Sequence, residues 1–217
     1  QALVPIIPGT LEPVTDLREA QRLAKQLGYP VLLKAAMGGG GKGMRLLDSE
    51  DQLAATFLSA QSEAERAFAD ASIYLEKAIS EARHIEMQIL SGPDGKAVWI
   101  AERECSLQRR HQKIFEESPA TNFPEALRTA MGSIACQAAD AVGYVGAGTV
   151  EFLLDRRGQF YFLEMNTRLQ VEHPVTEMCT GLDLVAEQIL IAQGETLRLQ
   201  QGSSLARGHA IEARLYA

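Results

Sequence analysis

Cysteine is scarce: Cys105, Cys136 and Cys179 are the three in 217 residues, odd in number and set far apart. No CxxC spacing occurs, which excludes a redox dithiol or cysteine zinc site and suits a reducing compartment. The histidines show neither HxxxH nor HExxH spacing, so zinc chemistry is not expected. No apolar run approaches the ~18 residues a membrane helix needs. The N-terminus lacks the basic-then-apolar pattern of a signal segment. Positive charge is also short, since Lys+Arg 21 against Asp+Glu 28 leaves −7. General attraction to nucleic acid or an anionic membrane is therefore not expected. Neither HRD nor DFG is present, which removes a protein-kinase reading. The chain opens on Gln1 rather than Met, so a piece of a longer polypeptide is expected.

What is present is ordinary for a globular protein: 46% hydrophobic and 23% charged residues. A chain this long buries roughly 70–75% of its unfolded surface, enough to fold without disulfides or metal. Residues 3–7 read as a short strand. Thr15 is the expected cap of a helix with Leu17, Ala20, Leu23, Ala24 and Leu27 on one face and Gly28 as its stop. Val31–Ala35 and Met44–Leu47 read as strands around Gly38–Gly41, Lys42 and Gly43. Ser49, with Gln52 at capping-box spacing, opens a second helix that turns Leu53, Phe57, Ala64 and Phe68 inward. Residues 73–77 return as a strand, giving a small α+β lobe. Beyond it, 84–90 and 96–102 flank a Ser-Gly-Pro-Asp-Gly turn. Residues 106–113 read as a polar, basic loop. A helix runs from Pro124 to Gly143, and a second hairpin joins 149–155 to 160–166. A helix over 182–193 and an alternating strand over 208–217 complete the chain.

Three features carry chemistry. The glycine run satisfies GxGxxG, but a strand follows where the dinucleotide fingerprint needs a helix, and Lys42 is followed by Gly43 rather than Ser or Thr. Strand–glycines–strand is instead a flap whose bare N–H groups close over phosphates, with Lys34 as fixed positive charge. In the second hairpin, a four-residue bend at 156–159 sets Glu151 opposite Glu164 on a buried face. Opposed acids there need a positive charge between them. With Asn166 they suit a hard divalent cation, Mg²⁺ or Mn²⁺. A register shifted by one would instead turn Glu151 to solvent. Finally, an extended chain over 166–172 sets Asn166, Arg168, Gln170 and Glu172 on one face, ending at His173-Pro174. Arg168 then holds a small planar anion and Glu172 acts as general base beside it. In the basic run, Lys113 and His111 either face the phosphates or form a solvated patch balanced by Glu116 and Glu117. Glu212 and Arg214 share a strand face and read as a surface ion pair.

Lys34 with Gly38–Met44, Glu76-Lys77, Glu102–Ser106, Gln108–Lys113 and above all LEMNTRLQVEHPVTE over Leu163–Glu177 closely resemble biotin carboxylase, from about Pro5 to Arg214. The LEMNTRL stretch is shared with carbamoyl phosphate synthetase, and the QVEHPVTE continuation is the biotin carboxylase form. The resemblance implies an α+β ATP-grasp fold, a small lid lobe (6–79) closing on a larger antiparallel-sheet lobe (80–217) with ATP between them. It implies that Lys34 and the backbone at Gly40 and Gly41 hold phosphates. Glu76, Lys77 and Ile79 would read adenine with Leu153 on the ring, and His84, Gln108 and His111 would contact the nucleotide. It further implies Glu151, Glu164 and Asn166 as magnesium ligands, and Lys113, Arg168, Gln170 and Val171 as the bicarbonate pocket. Glu172 would be the general base, and Arg214 would face biotin. The cofactors implied are ATP, Mg²⁺ or Mn²⁺ and biotin on a carrier protein or domain. The implied partners are that carrier and a carboxyltransferase, in a homo-oligomeric parent in the cytoplasm or mitochondrial matrix. The family's N-terminal region is missing, so the fragment alone is expected to be inactive. Met37 replaces a small residue before the flap. The rival readings are a carbamoyl phosphate synthetase half and a non-catalytic nucleotide-binding module.

Overall fold

The computed structural model describes residues 4–38, 43–199, 201 and 206–216. The chain divides into two compact units, Ile7–Ser80 and Gln1–Ile6 with Glu81–Ala217.

The first unit holds α1 (Leu17–Leu27), β1 (Val31–Ala35), β2 (Met44–Leu47), a 3-10 turn (Glu50–Gln52), α2 (Leu53–Phe68) and β3 (Ile73–Lys77). Its antiparallel strands lie in the order β2-β1-β3. Alternation along β1 buries Val31, Leu33 and Ala35 in one core with Ala20 and Ala24 of α1 and Leu53, Phe57 and Ala64 of α2. Several sequence expectations change here. The helix cap is Asp16, not Thr15, because its carboxylate lies next to the first helical residue and accepts from the Glu19 N–H at 2.9 Å. Ser49 makes no capping bond; Gln52 accepts from the Asp48 N–H at 3.0 Å, and the 3-10 turn precedes the helix. Phe68 is 39% exposed, sitting at the last position of α2 where no further turn covers it.

The second unit contains β4 (Arg83–Ser91), β5 (Ala97–Arg109), β6 (Gln112–Ser118), α3 (Glu125–Ala141), β7 (Gly146–Leu154), β8 (Phe160–Asn166), α4 (His173–Thr180), α5 (Leu184–Ala192) and β9 (Ala210–Ala213). They form a six-stranded antiparallel sheet in the order β8-β7-β4-β5-β6-β9. Every residue of β4 after Arg83 is buried because this central strand is covered on both faces. Ile85, Met87 and Ile89 face Met131, Ala135 and Ala139 of α3, together with Val150, Phe152 and Leu154 of β7. On the opposite face Leu90 and Ala147 meet Leu184 and Ile191 of α5. Each fully buried side chain of this size contributes roughly 1.5–3 kcal/mol, so two apolar cores fix the central strands from both sides.

The expected strand at residues 3–7 is, among its described residues, a single bridge from Ile6 to Phe162. Pro5 and Pro8 lack the N–H groups a longer ladder needs. The expected loop at 106–113 is a hairpin. Strands β5 and β6 continue almost to its tip, and only Arg110 and His111 turn, both with positive φ (52° and 65°). Among the described residues no helix is long and apolar enough to cross a membrane.

Candidate active site

Arg103, Glu86, Glu151 and Glu164 lie abreast on β5, β4, β7 and β8, each the direct cross-strand neighbour of the next. The opposition of Glu151 and Glu164 was expected, but the geometry behind it differs. The bend pairs Leu154 with Phe160, so it holds five residues, 155–159, one more than expected; Leu163, an extra bulged residue, restores the register before Glu151 meets Glu164. The two acids are also not equally buried. Glu151 is 5% exposed, whereas Glu164, on the edge strand, faces solvent.

What reconciles the buried acids is a lysine. Lys113 Nζ, reaching from β6, donates to Glu86 Oε2 at 2.5 Å, Glu151 Oε1 at 2.8 Å and Glu172 Oε1 at 2.6 Å. Burial disfavours the ammonium, but the carboxylates around it hold it charged, well above its ordinary value. Burial likewise opposes ionisation of Glu151, yet His84 and Lys113 hold its carboxyl far below the usual range. Asn166 Nδ2 and Gln170 Nε2 also donate to Glu151 Oε1, at 3.1 and 2.8 Å. Gln108 Nε2 donates to the Cys105 carbonyl at 2.8 Å and lies 3.1 Å from His84 Nδ1. That amide nitrogen makes Nδ1 the acceptor, so the His84 proton sits on Nε2, 3.0 Å from Glu151 Oε2.

Residues 167–172 are not extended. The strand ends at Asn166, and His173-Pro174 opens α4 rather than stopping a strand, since proline is accommodated in a first helical turn. Gln170 and Glu172 are buried while Arg168 and Val171 face solvent. Arg168 Nη1 donates to the Leu169 carbonyl at 3.1 Å. Glu172 is held from two sides, by Lys113 and, through Oε2, by Arg214 Nη2 at 2.9 Å. Arg214 Nε also donates to Glu116 Oε1 at 2.6 Å. Its partners are thus Glu116 and Glu172, not Glu212, because Ile114 O receives its backbone N–H and turns the side chain over β6. Burial raises the Glu116 carboxyl despite Arg214 beside it.

Sequence reasoning assigned no role to Arg103 or Glu86, both 0% exposed. Arg103 Nε bonds Glu86 Oε1. Its Nη1 donates to Gln88 Oε1 at 2.7 Å and Thr176 Oγ1 at 2.9 Å. Its Nη2 donates to Thr149 Oγ1 at 3.0 Å and Gln170 Oε1 at 3.3 Å. The only signal was a charged Glu-Arg-Glu run continuing an apolar strand pattern.

Thus Lys113, Glu151, Asn166, Gln170, Glu172, Arg214, His84 and Gln108 form one bonded network. His111 sits exposed at the β5–β6 turn, and Leu153 is half-buried on β7. In the first unit, β1 and β2 form the antiparallel hairpin expected around the glycines; Gly40 and Gly41 lie outside the described residues. Lys34 Nζ pairs with Glu76 Oε2 at 2.5 Å. Lys77 Nζ donates to the carbonyls of Gly28 and Tyr29 at 2.8 and 3.0 Å, and Ile79 is half-buried.

A divalent cation fits this donor set. Asn166 Nδ2 lies 3.1 Å from Glu151 Oε1 and 3.5 Å from Glu164 Oε1, so one amide joins both carboxylates. All are hard oxygen donors once the amide turns, and Glu151 is held in the ionised form a cation requires.

Residues 1–200 match the family model described as the carbamoyl-phosphate synthase L chain, ATP binding domain. The chain belongs to this family. Within this ATP-binding family, the biotin carboxylase of Nostoc sp. is 55% identical over 217 residues, covering all of this chain and 48% of that protein. The chain therefore spans about half the length of the curated relatives it matches. The biotin carboxylase–beta-gamma-ATP complex from Campylobacter jejuni superposes with TM-score 0.92 at 50% identity, covering 98% of this chain and 48% of that one. The biotin carboxylase domain of Hydrogenobacter thermophilus 2-oxoglutarate carboxylase, solved with MgADP, ADP and bicarbonate, gives 0.91 at 47% identity, covering 98% and 47%. The architecture is the α+β ATP-grasp fold of these ATP-binding domains.

Proposed function

We propose that this chain is the ATP- and bicarbonate-handling part of a biotin carboxylase, which carboxylates biotin borne on a carrier protein or domain at the expense of ATP. The observation that carries this reading is Glu172, a buried carboxylate fixed between Lys113 and Arg214. A base so placed removes the proton of bicarbonate, and the resulting dianion attacks the γ-phosphate of ATP. The bond from the γ-phosphorus to the β-phosphate oxygen breaks, ADP leaves, and the carboxyphosphate so formed releases CO₂ and phosphate. Lys113 meets the charge that builds on the phosphoryl oxygens, and Gln170 and Arg168 with the Val171 backbone orient bicarbonate beside Glu172. Positioning and electrostatics supply most of the rate. Magnesium, when bound, would be held by Glu151, Glu164 and Asn166 and would neutralise charge on the nucleotide phosphates. Arg214 would stabilise negative charge on the ureido oxygen of biotin.

In the first unit, Lys34 and the glycine-rich backbone at Gly40 and Gly41 are assigned to phosphates. Glu76, Lys77 and Ile79 are assigned to adenine, with Leu153 packing on the ring. His84, Gln108 and His111 are assigned to the nucleotide, a role that His84 and Gln108 also support by fixing Glu151. A carboxyltransferase is the expected consumer of the product.

The test is ATP hydrolysis by the full-length gene product, measured with bicarbonate, free biotin or ammonia as the variable substrate. Bicarbonate-dependent cleavage stimulated by biotin is expected. Cleavage driven by ammonia and indifferent to biotin would overturn the proposal in favour of a carbamoyl phosphate synthetase half.

A further inference from the structure

We infer that Arg103 is a positioning residue for the bicarbonate-activating step, acting through Gln170 and Glu86 on the base Glu172; this rests on the function proposed above. An arginine carries five N–H donors, and burying all of them is tolerated only when each finds an acceptor. Arg103 meets that condition with acceptors from four places: Glu86 and Gln88 on β4, Thr149 on β7, Gln170 in the segment before α4, and Thr176 within α4. A guanidinium needed only for charge balance would require Glu86 alone.

Two orientations follow from these bonds. Because Gln170 Oε1 accepts from Arg103, its Nε2 must point the other way, onto Glu151 Oε1 at 2.8 Å. Because Glu86 Oε1 is bound to Arg103, Oε2 is the oxygen left for Lys113 at 2.5 Å. Lys113 then divides itself among Glu86, Glu151 and Glu172. Without Arg103, Glu86 would be a fully buried carboxylate with Lys113 as its sole strong cation. Coulomb attraction in so dry a setting would draw Lys113 toward it and away from Glu172. The Gln170 amide would also lose its anchor, and Thr176 its tie between α4 and the sheet. Glu172, the residue at the N-terminal boundary of α4, would then lose one of its two cations, keeping only Arg214, together with its fixed backbone.

The experiment is steady-state kinetics of the full-length protein with Arg103→Lys and the milder Thr149→Val and Thr176→Val, each beside a calorimetric Mg·ATP titration. A lysine keeps the charge but supplies at most three donors. Loss of a charge-assisted bond that orients a group is expected to raise the bicarbonate KM or lower kcat by about tenfold or more. ATP affinity should stay within about twofold, well below the effect of one lost charged hydrogen bond. The control is Glu102→Gln, which breaks a part-buried pair with Arg128 (2.7 Å) on the α3 face of the same sheet. It should lower thermal stability without moving the bicarbonate KM. If Arg103→Lys fails to fold, the two threonine variants decide. Bicarbonate kinetics at the wild-type level in the variants that fold would overturn the inference. So would ATP affinity and bicarbonate parameters that fall together in the Arg103 and threonine variants. If the wild-type protein shows no bicarbonate dependence, the proposed function fails instead.

Discussion

Glu172 and Arg214 are 42 residues apart in sequence and meet at 2.9 Å, leaving Lys113 the other Glu172 oxygen at 2.6 Å. A carboxylate clamped by two cations is well oriented, and its basicity is the property the proposed chemistry uses. Glu172→Gln keeps the shape and can still accept one hydrogen bond, but it cannot take a proton. Bicarbonate-dependent ATP cleavage is expected to fall by about 10²–10⁴. Calorimetric binding of Mg·ATP should survive. Equal loss of binding and turnover would instead make Glu172 a structural acid.

The acid side of the stability profile follows from Glu86 and Glu151. Burial raises both carboxyls, but Arg103 and Lys113 outweigh it at Glu86, and His84 and Lys113 outweigh it at Glu151, so both fold below their ordinary 4.5. A depressed folded value means that the unfolded chain binds more protons, so the contribution is present above about 4.5 and lost as pH falls through the folded values. Glu116 has the opposite sign. Its raised carboxyl stabilises at low pH and loses that contribution as pH climbs through the folded value. Glu104 and Asp70 share the sign of Glu86 and Glu151, and Glu212 shares that of Glu116. With four groups against two, the urea midpoint should drop between about pH 6 and about pH 3, and Glu151→Gln should flatten that drop. A midpoint independent of pH in the wild-type chain would contradict this.

Local periodicity made most of the fold legible. The helices near 17–27 and 125–141 and the β7–β8 hairpin announce themselves by apolar spacing, glycine stops and a turn-rich bend. The segment from Ser106 to Lys113 was misread because most of its side chains are exposed and only backbone pairing of β5 with β6, which leaves no mark in the composition, makes it a hairpin; Gln108 and Lys113 reach the bonded network. The sequence singled out Lys113, Gln170 and Glu172, which the structure joins in one bonded network, but the reason Gln170 and Glu172 converge was not legible. Alternation suggested an extended strand, whereas a turn into α4 brings them together. The bulge at Leu163 leaves no signature in composition, and it corrects the register of a bend one residue longer than expected. Arg103 was hidden for a different reason, since its acceptors come from four separate stretches that only the folded sheet assembles.

Gly132 tests the packing that supports this sheet. It lies in α3 directly over Trp99, where a Cβ would come within 2.5 Å of the indole ring. Glycine to alanine in a helix ordinarily gains about 1 kcal/mol. Here the ring resists displacement, because the Trp99 backbone is bonded on both sides by the Gln201 amide at 3.1 and 3.2 Å. Gly132→Ala should therefore cost about 1–3 kcal/mol through overpacking. Urea unfolding measures the cost. Trp99 is the sole tryptophan, so its emission reports the strain directly. A stabilised variant with unchanged emission would mean that α3 slides freely over β5.

The metal assignment separates Glu164 from Glu151 by what else each residue does. Glu151 accepts bonds from Lys113, Asn166 and Gln170 on one oxygen and faces His84 with the other, so its loss strips the buried network as well as a proposed metal ligand. Glu164 is exposed on the edge strand, and within the described residues its carboxylate accepts a hydrogen bond only from the Asn166 amide, at 3.5 Å. Surface acids of this kind contribute little to folding, within about 0.5 kcal/mol. Glu164→Gln should leave the urea midpoint unchanged while raising the magnesium concentration needed for half-maximal ATP hydrolysis by about tenfold, the cost of one charged oxygen ligand. Glu151→Gln should move both quantities, because the amide presents an N–H toward Lys113 where an acceptor is required. Magnesium titrations and urea unfolding on the same two variants read the difference. Should Glu164→Gln lower stability as much as Glu151→Gln, the exposed acid would be bracing the hairpin, and the cation would need other ligands.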